Sequence, residues 1–505
     1  MRWSRAVAGF GAILTALAVS ALGGCGGGDA VIFVTVSGEP MVRDVDVLLV
    51  DVHYGVEVTS ADLDVQQGQT LPQTFTITPN DKTGDVTITI SALDSAGIET
   101  ARGEQTVTIP TNGRTNVDFQ LLANDRVLNT MIVSAQTLSV TATQTGKQLA
   151  RGPDGNLVAV WENFCPASRC DILARTFDDD LVGIENATTL NDGDFLVNQT
   201  PEFTTTPTIT AGPSGYAVAW RTTADVKVTT LGPNGAHGGA DAIVTTGTTF
   251  EGVPTLAARP SGWWVSWEQA RADGSREIRA RRLTAAGTVD GADTLVSPGT
   301  DTHGAVHAAT MANGQTVFAW STTAGATSSL NARVYEDGGA AATGVAELAV
   351  EAGDVEPGGP TVVPVGAGFL LVYRVGPDFV GRMFGADAAA TGGVTPISDT
   401  PVAPGAAPAV ALRDDGVLAV AWQGCDEASG DLSCDIHLRL LDAATLTPRG
   451  PSRVVNTTRT GDQTGPSVAA VTGGFALAWT DTSARAPDTD DDSIRGIVAY
   501  DTASE

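Results

Sequence analysis

The chain has 505 residues, with 58 Asp+Glu against 29 Lys+Arg and a net charge of −29. That length exceeds one ordinary domain and suggests two to four, and the acidity argues against a nucleic-acid partner, since nothing here could neutralise phosphates. Only 17% of residues are charged, which also excludes a solvated, disordered acidic chain.

The first segment is an address. Arg2 and Arg5 precede an apolar stretch from Ala6 to Leu22 that carries no acid and ends in Leu22-Gly23-Gly24-Cys25. This resembles a bacterial lipoprotein signal peptide with its lipobox, and the resemblance implies cleavage after residue 24 and lipidation of Cys25. Residues 25–30 then form a lipidated, glycine-rich tether. By the same resemblance, Gly26 in place of aspartate implies the outer membrane. No later apolar run is long enough to span a bilayer.

Residues 31–124 alternate with a period of two, the signature of strands. The runs are Val31–Val36, Val45–Val50, Thr74–Thr78, Asp85–Ile90, Thr106–Ile109 and Asn116–Leu121. Six or seven short strands in some ninety residues suggest an immunoglobulin-like or transthyretin-like β-sandwich.

From 125 to 505 a repeat takes over. An aromatic residue ends an apolar strand at Trp161, Trp220, Trp267, Trp320, Tyr373, Trp422 and Trp479. A turn glycine lies five or six residues earlier, at Gly155, Gly215, Gly262, Gly314, Gly368, Gly416 and Gly474. Eight residues before six of these glycines stand Pro207, Pro254, Val306, Pro360, Pro408 and Pro466. Each copy reads as four strands, and large residues alternate with Ala in the second, as in Phe475-Ala-Leu-Ala-Trp479. The fold class is therefore all-β, a sandwich followed by a seven-bladed β-propeller. The last copy lacks a fourth strand, and Asn129-Thr-Met-Ile-Val133 reads as the displaced strand that closes the ring. Closure would remove exposed sheet edges.

The Gly-Gly-Phe-Ala-Leu-Ala-Trp run with Ser493-Ile494-Arg495 and Pro466-x7-Gly474 resembles a tandem repeat of bacterial surface and exported proteins. The N-terminal segment resembles modules placed between lipid anchors and larger domains of bacterial lipoproteins. Neither resemblance supplies a catalytic residue.

Removing Cys25 leaves Cys165, Cys170, Cys425 and Cys434, two close pairs in an exported chain, which read as two disulfides between the second and third strands of their blades. His303 and His307, four apart, read as channel-lining or surface histidines without a third metal ligand. Asp488-Thr-Asp-Asp-Asp492 is the most oxygen-rich run but lacks the EF-hand order, and Asp178-Asp179-Asp180 reads as a blade turn. No metal or cofactor is assigned. Trp263-Trp264 reads as inter-blade core in preference to a sugar platform. No nucleophile elbow, P-loop or HExxH helix occurs.

These features describe a lipid-anchored extracytoplasmic binding or scaffold protein, presenting its propeller to a protein or glycan and doing no catalysis. The alternatives are a secreted carbohydrate-active enzyme using rim carboxylates, or a structural envelope component. Fold alone does not decide among them.

Overall fold

The computed structural model describes residues 2–5, 30–65, 70–79, 82–128, 148–163, 171–184, 193–200, 202–245, 252–324, 327–349, 359–425, 433–483 and 493–501. It separates into two compact units, 1–126 and 127–505. The described residues contain no α-helix.

The N-terminal unit is built from β1 (Arg2–Arg5), β2 (Val31–Gly38), β3 (Val47–Tyr54), β4 (Glu57–Asp64), β5 (Gln73–Thr78), β6 (Gly84–Leu93), β7 (Glu99–Ile109) and β8 (Arg114–Ala123). Their order is β1-β5-β2-β8-β7-β6-β3-β4 in a single sheet that curls on itself. β2 and β8 pair in parallel, whereas β7 and β8 share only the pairs Ala101↔Ala123 and Arg102↔Leu122. The alternation seen in the sequence places Ile32, Val34, Val36, Val50, Ile77, Ile88 and Leu121 in one core. Burying each such side chain contributes roughly 1.5–3 kcal/mol.

The second unit is a propeller of seven four-stranded antiparallel sheets. Each blade runs from an inner strand outward. Blade two, for instance, comprises Thr204–Gly212, Gly215–Thr222, Val226–Leu231 and Ala242–Ile243. The alternation of large residues with Ala explains how blades stack. Tyr216, Val218 and Trp220 face Val158, Val160 and Ile172 of blade one. The flat side, Ala217 and Ala219, receives Trp263 and Trp267 of blade three. All seven repeat aromatics are at most 1% exposed. The turn glycines are sterically required where the second strand begins. A Cβ on Gly215 would lie 2.2 Å from Leu231 O, and one on Gly262 would lie 2.1 Å from Leu283 O.

The seventh sheet is completed from the other end of the unit, although not by the strand expected. Asn129–Val133 lies outside the described residues. The outer place is taken by Arg126–Val127, and the Leu128 N–H donates to Ile494 O at 2.7 Å. Val244, Val296, Ile397 and Val455 make the same bond to their own third strands. At two of these four, Val244 and Ile397, an arginine on the next blade then clasps that residue's carbonyl. Arg281 reaches Val244 O at 2.8 Å and Arg439 reaches Ile397 O at 2.7 Å. Arg175 does the same to Leu128 O at 3.3 Å, so the seam between blades seven and one has the bonding of an ordinary blade interface.

Candidate functional site

The seven inner strands surround a central cavity of about 1370 Å³. Its two ends differ in origin. At the crossover end the chain enters each inner strand from the preceding blade. At the hairpin end it turns back into the second strand. The proline-plus-one position forms a polar ring near the crossover end. Thr255 Oγ1 donates to Val306 O at 2.9 Å, and Thr361 Oγ1 donates to Pro408 O at 2.9 Å. The Val362 N–H donates to His307 Nδ1 at 3.2 Å. Ser467 Oγ accepts from both Gln148 N and Leu149 N at 3.1 Å, across the seam. This position thus ties blades together at four of the seven interfaces, His307 doing so by accepting at Nδ1.

The residue after each repeat aromatic stands at the crossover end and faces the following blade. In blades one and three it is a glutamate. Glu268 lines the cavity. Its Oε1 accepts from Ala305 N at 2.7 Å and its Oε2 pairs with Arg276 at 2.8 Å. Glu162 is 8% exposed. It accepts from the Thr206 N–H and, at 3.1 Å, from Thr205 Oγ1. Burial pushes its carboxyl above the usual range, against the lowering effect of those two bonds. The two sites share a backbone feature. Thr206 and Ala305 both hold φ in the left-handed region, at 53° and 50°, which costs a non-glycine residue on the order of 1–3 kcal/mol. A carboxylate accepting the amide of the strained residue offsets part of that cost. The equivalent places in blades five and seven, Gly359 and Gly465, also have positive φ but use glycine.

The hairpin end is charged and internally paired. Arg151 meets Asp179 at 2.7 Å. Arg413 meets Asp415 at 2.7 Å and Asp501 at 3.0 Å. Asp415 is accordingly pulled down to about 2, chiefly by its hydrogen bond from Arg413.

Of the residues singled out from the sequence, Cys434 and Cys425 form a disulfide. They stand directly opposite one another at the end of the second and third strands of blade six. Cys25, Cys165, Cys170 and Asp488–Asp492 lie outside the described residues. Trp263 and Trp264 are both 1% exposed, and Trp264 packs edge-on to Phe318 with centroids 5.4 Å apart. This excludes a sugar platform there. His303 and His307 do not act together. A register shift between Gly304 and His307 separates them, and His303 is buried edge-on to Trp320. The carboxylates of the Asp178–Asp180 turn are engaged with Val182 N, Arg151 and Tyr500. No group of three or more metal-ligating side chains occurs among the described residues. The sequence alone does not single out Glu162 and Glu268. The only signal is positional, since the residue after the aromatic runs Glu, Arg, Glu, Ser, Arg, Gln, Thr through the copies.

No protein-family profile matches the chain, and no curated protein does. Solved structures resemble it. A Dyadobacter fermentans protein of unknown function is 11% identical, with 74% of this chain and 97% of that one covered at a TM-score of 0.42. A thermostable family-43 glycoside hydrolase is 12% identical, covering 51% and 96% at 0.34. An endo-arabinase from Bacteroides thetaiotaomicron is 10% identical, covering 57% and 91% at 0.30. These likenesses concern fold. They also correct the expectation of a binder or scaffold that is not an enzyme. That expectation rested on a regular scaffold with variable loops and no catalytic motif, and the neighbours named here include glycoside hydrolases.

Proposed function

We propose that the propeller is a carbohydrate-active hydrolase working at the crossover end of its cavity. The observation that carries this reading is a glutamate, Glu268, that lines the cavity at its crossover end. Glycoside hydrolysis uses one carboxyl that keeps its proton and another that is ionised. Glu162, at the equivalent place of blade one, is turned to Thr205 and Thr206 and is not among the cavity-lining residues, so it serves as the control. Glu268, held by Arg276 and the Ala305 amide, supplies the carboxylate that lines the cavity. The test is turnover of a panel of polysaccharides by Glu268→Gln and Glu162→Gln. Glu268→Gln is expected to lose at least about 10²-fold in kcat, the usual contribution of a general acid or base, while remaining folded, and Glu162→Gln to keep the parent kcat. Turnover by Glu268→Gln at the parent rate overturns the assignment.

The same reading places the hydrolase outside the cytoplasm. Leu22-Gly23-Gly24-Cys25 supports cleavage before Cys25, which would also take β1 (Arg2–Arg5) from the edge of the N-terminal sheet, and lipidation of the Cys25 thiol, with residues 26–30 as the tether to an outer-membrane anchor and a glycan as the partner. The repeat's resemblance to bacterial surface and exported proteins supports that location. Cys25→Ser is expected to release the protein from membranes and abolish labelling by a lipid analogue. Retention of both would remove the anchor from the proposal.

A further inference from the structure

The cavity wall itself says what kind of ligand it suits. Each inner strand is hydrogen-bonded on one side only. In an antiparallel strand, alternate residues therefore turn their N–H and C=O groups away from the partner strand. Seven such edges face a common axis, so the wall carries many backbone donors and acceptors. Between them lie small or apolar side chains, among them Ala258, Val363, Ala411 and Ala470.

Ionisable side chains are confined to three levels. Glu268 marks the crossover end, His307 belongs to the polar ring, and Arg151, Arg413, Asp414 and Asp415 mark the hairpin end. The two arginines there are already committed to carboxylates. A charged ligand group inside the cavity would lose its hydration and find no counter-charge along the wall. A neutral ligand rich in hydroxyls would find donors, acceptors and apolar ledges together, the usual make-up of a small-molecule site. The volume, about 1370 Å³, lies above the ordinary range of roughly 300–1000 Å³ for ligand pockets, which suits a chain of several sugar rings better than one.

We propose that the cavity takes in the end of a neutral oligosaccharide chain from the crossover mouth, past Glu268, and rejects chains of acidic sugars. The proposal rests on the hydrolase reading only in taking the polyol to be a saccharide. It adds the charge class of the substrate and its direction of entry.

The experiment is calorimetric titration of the full-length protein with neutral trisaccharides (xylotriose, arabinotriose, mannotriose) and with trigalacturonate. It is repeated on Ala470→Trp, which fills the cavity, and on the milder Ala470→Leu. At least one neutral trisaccharide is expected to bind at least about tenfold more tightly than trigalacturonate, about 1.4 kcal/mol in binding free energy. Ala470→Trp is expected to abolish that binding with its melting transition unchanged. If that variant does not fold, weaker neutral binding by Ala470→Leu supports the proposal in its place, and undiminished binding by Ala470→Leu overturns it. Equal or tighter binding of trigalacturonate overturns the proposal, and so does unaltered neutral binding in the folded cavity-filled variant. The two readings fail separately. Neutral binding without turnover of any glycan removes the hydrolase and leaves the proposal. Turnover that persists in the filled cavity removes the proposal and leaves the hydrolase.

Discussion

The two units bury their apolar residues by different rules. The N-terminal sheet curls around one core drawn from several of its strands, made of Val, Ile, Leu and Phe. The propeller divides its core among the blade interfaces, each pairing a bulky face with a flatter one. In the first unit a side chain is shared by the whole sheet. In the second it belongs to a single seam, and the same seam recurs around the ring. The difference teaches that stability in the propeller is local and repeated, while closure concerns the whole unit.

The largest expected effect tests that division. Trp220→Ala empties the seam between blades one and two and should lower propeller stability by about 3–5 kcal/mol. The transition of the N-terminal unit should not move. Two-stage denaturant unfolding, followed by fluorescence and by hydrogen exchange, checks this. A joint shift of both transitions would mean that the units unfold as one.

A smaller effect sharpens the account of closure. Arg175→Ala and Arg281→Ala each delete a clasp on a neighbouring blade's carbonyl. Each should cost about 1.5–3 kcal/mol, the range for hydrogen bonds to charged groups. Equal costs mean that the seam at Leu128 is one interface among seven. A negligible cost for Arg175→Ala alone would show the ring held shut by other contacts.

The smallest effect is one of pH. Burial holds His303 and His437 below their ordinary value of 6.5. Arg271 lowers His303 further, while Asp301 and Glu277 act the other way. Around His437, Asp435 and Asp399 oppose the burial while Arg459 adds to it. The unfolded chain therefore takes up protons first as pH falls below 6.5, and propeller stability declines in that window. In the N-terminal unit, Glu57 is held below 4.5 by Lys82, so its contribution is lost only in more acidic solution. The melting temperature of the propeller should thus fall first between pH 7 and 5. His303→Gln together with His437→Gln should flatten that slope. Glu162 works in the opposite sense. Its raised carboxyl contributes stability below 4.5 that is lost as pH rises through the folded value.

The contrast between the units also explains what could be read from the sequence. Seven copies of one aromatic-and-glycine spacing identify a propeller because each copy repeats a bulky ring at one offset and a glycine at another, required by backbone contact at Gly215, Gly262, Gly368 and Gly474 and by positive φ at Gly155, Gly314 and Gly416. β4 (Glu57–Asp64) is illegible in the sequence because it is an edge strand whose side chains are all exposed or half-buried, alternating from Val58 onward. Polar residues on such a strand blunt its unpaired edge and erase the apolar pattern. The expected closing strand falls five residues too late because Val133-Ser134 imitates Val244-Thr245. Leu128-Asn129 imitates Val197-Asn198 and Val455-Asn456 equally well. In those two copies the asparagine accepts the N–H of Ile172 or Ile436, at 2.7 and 2.8 Å. Among 58 acids, Glu162 and Glu268 acquire meaning only from the strained amides they face, and backbone strain leaves no mark in composition.

The bond from Leu128 to Ile494 has a consequence in time. The two residues lie at opposite ends of the propeller's stretch of chain. At the usual pace of roughly 5–20 residues per second, several tens of seconds of synthesis separate them. Until the last blade emerges, the strand at Leu128 has no partner and the seventh sheet has an open side. Such distant pairing is slow and leaves edges exposed while it waits. A nascent chain of this protein therefore depends, for most of its production, on whatever shields unpaired strands on its route.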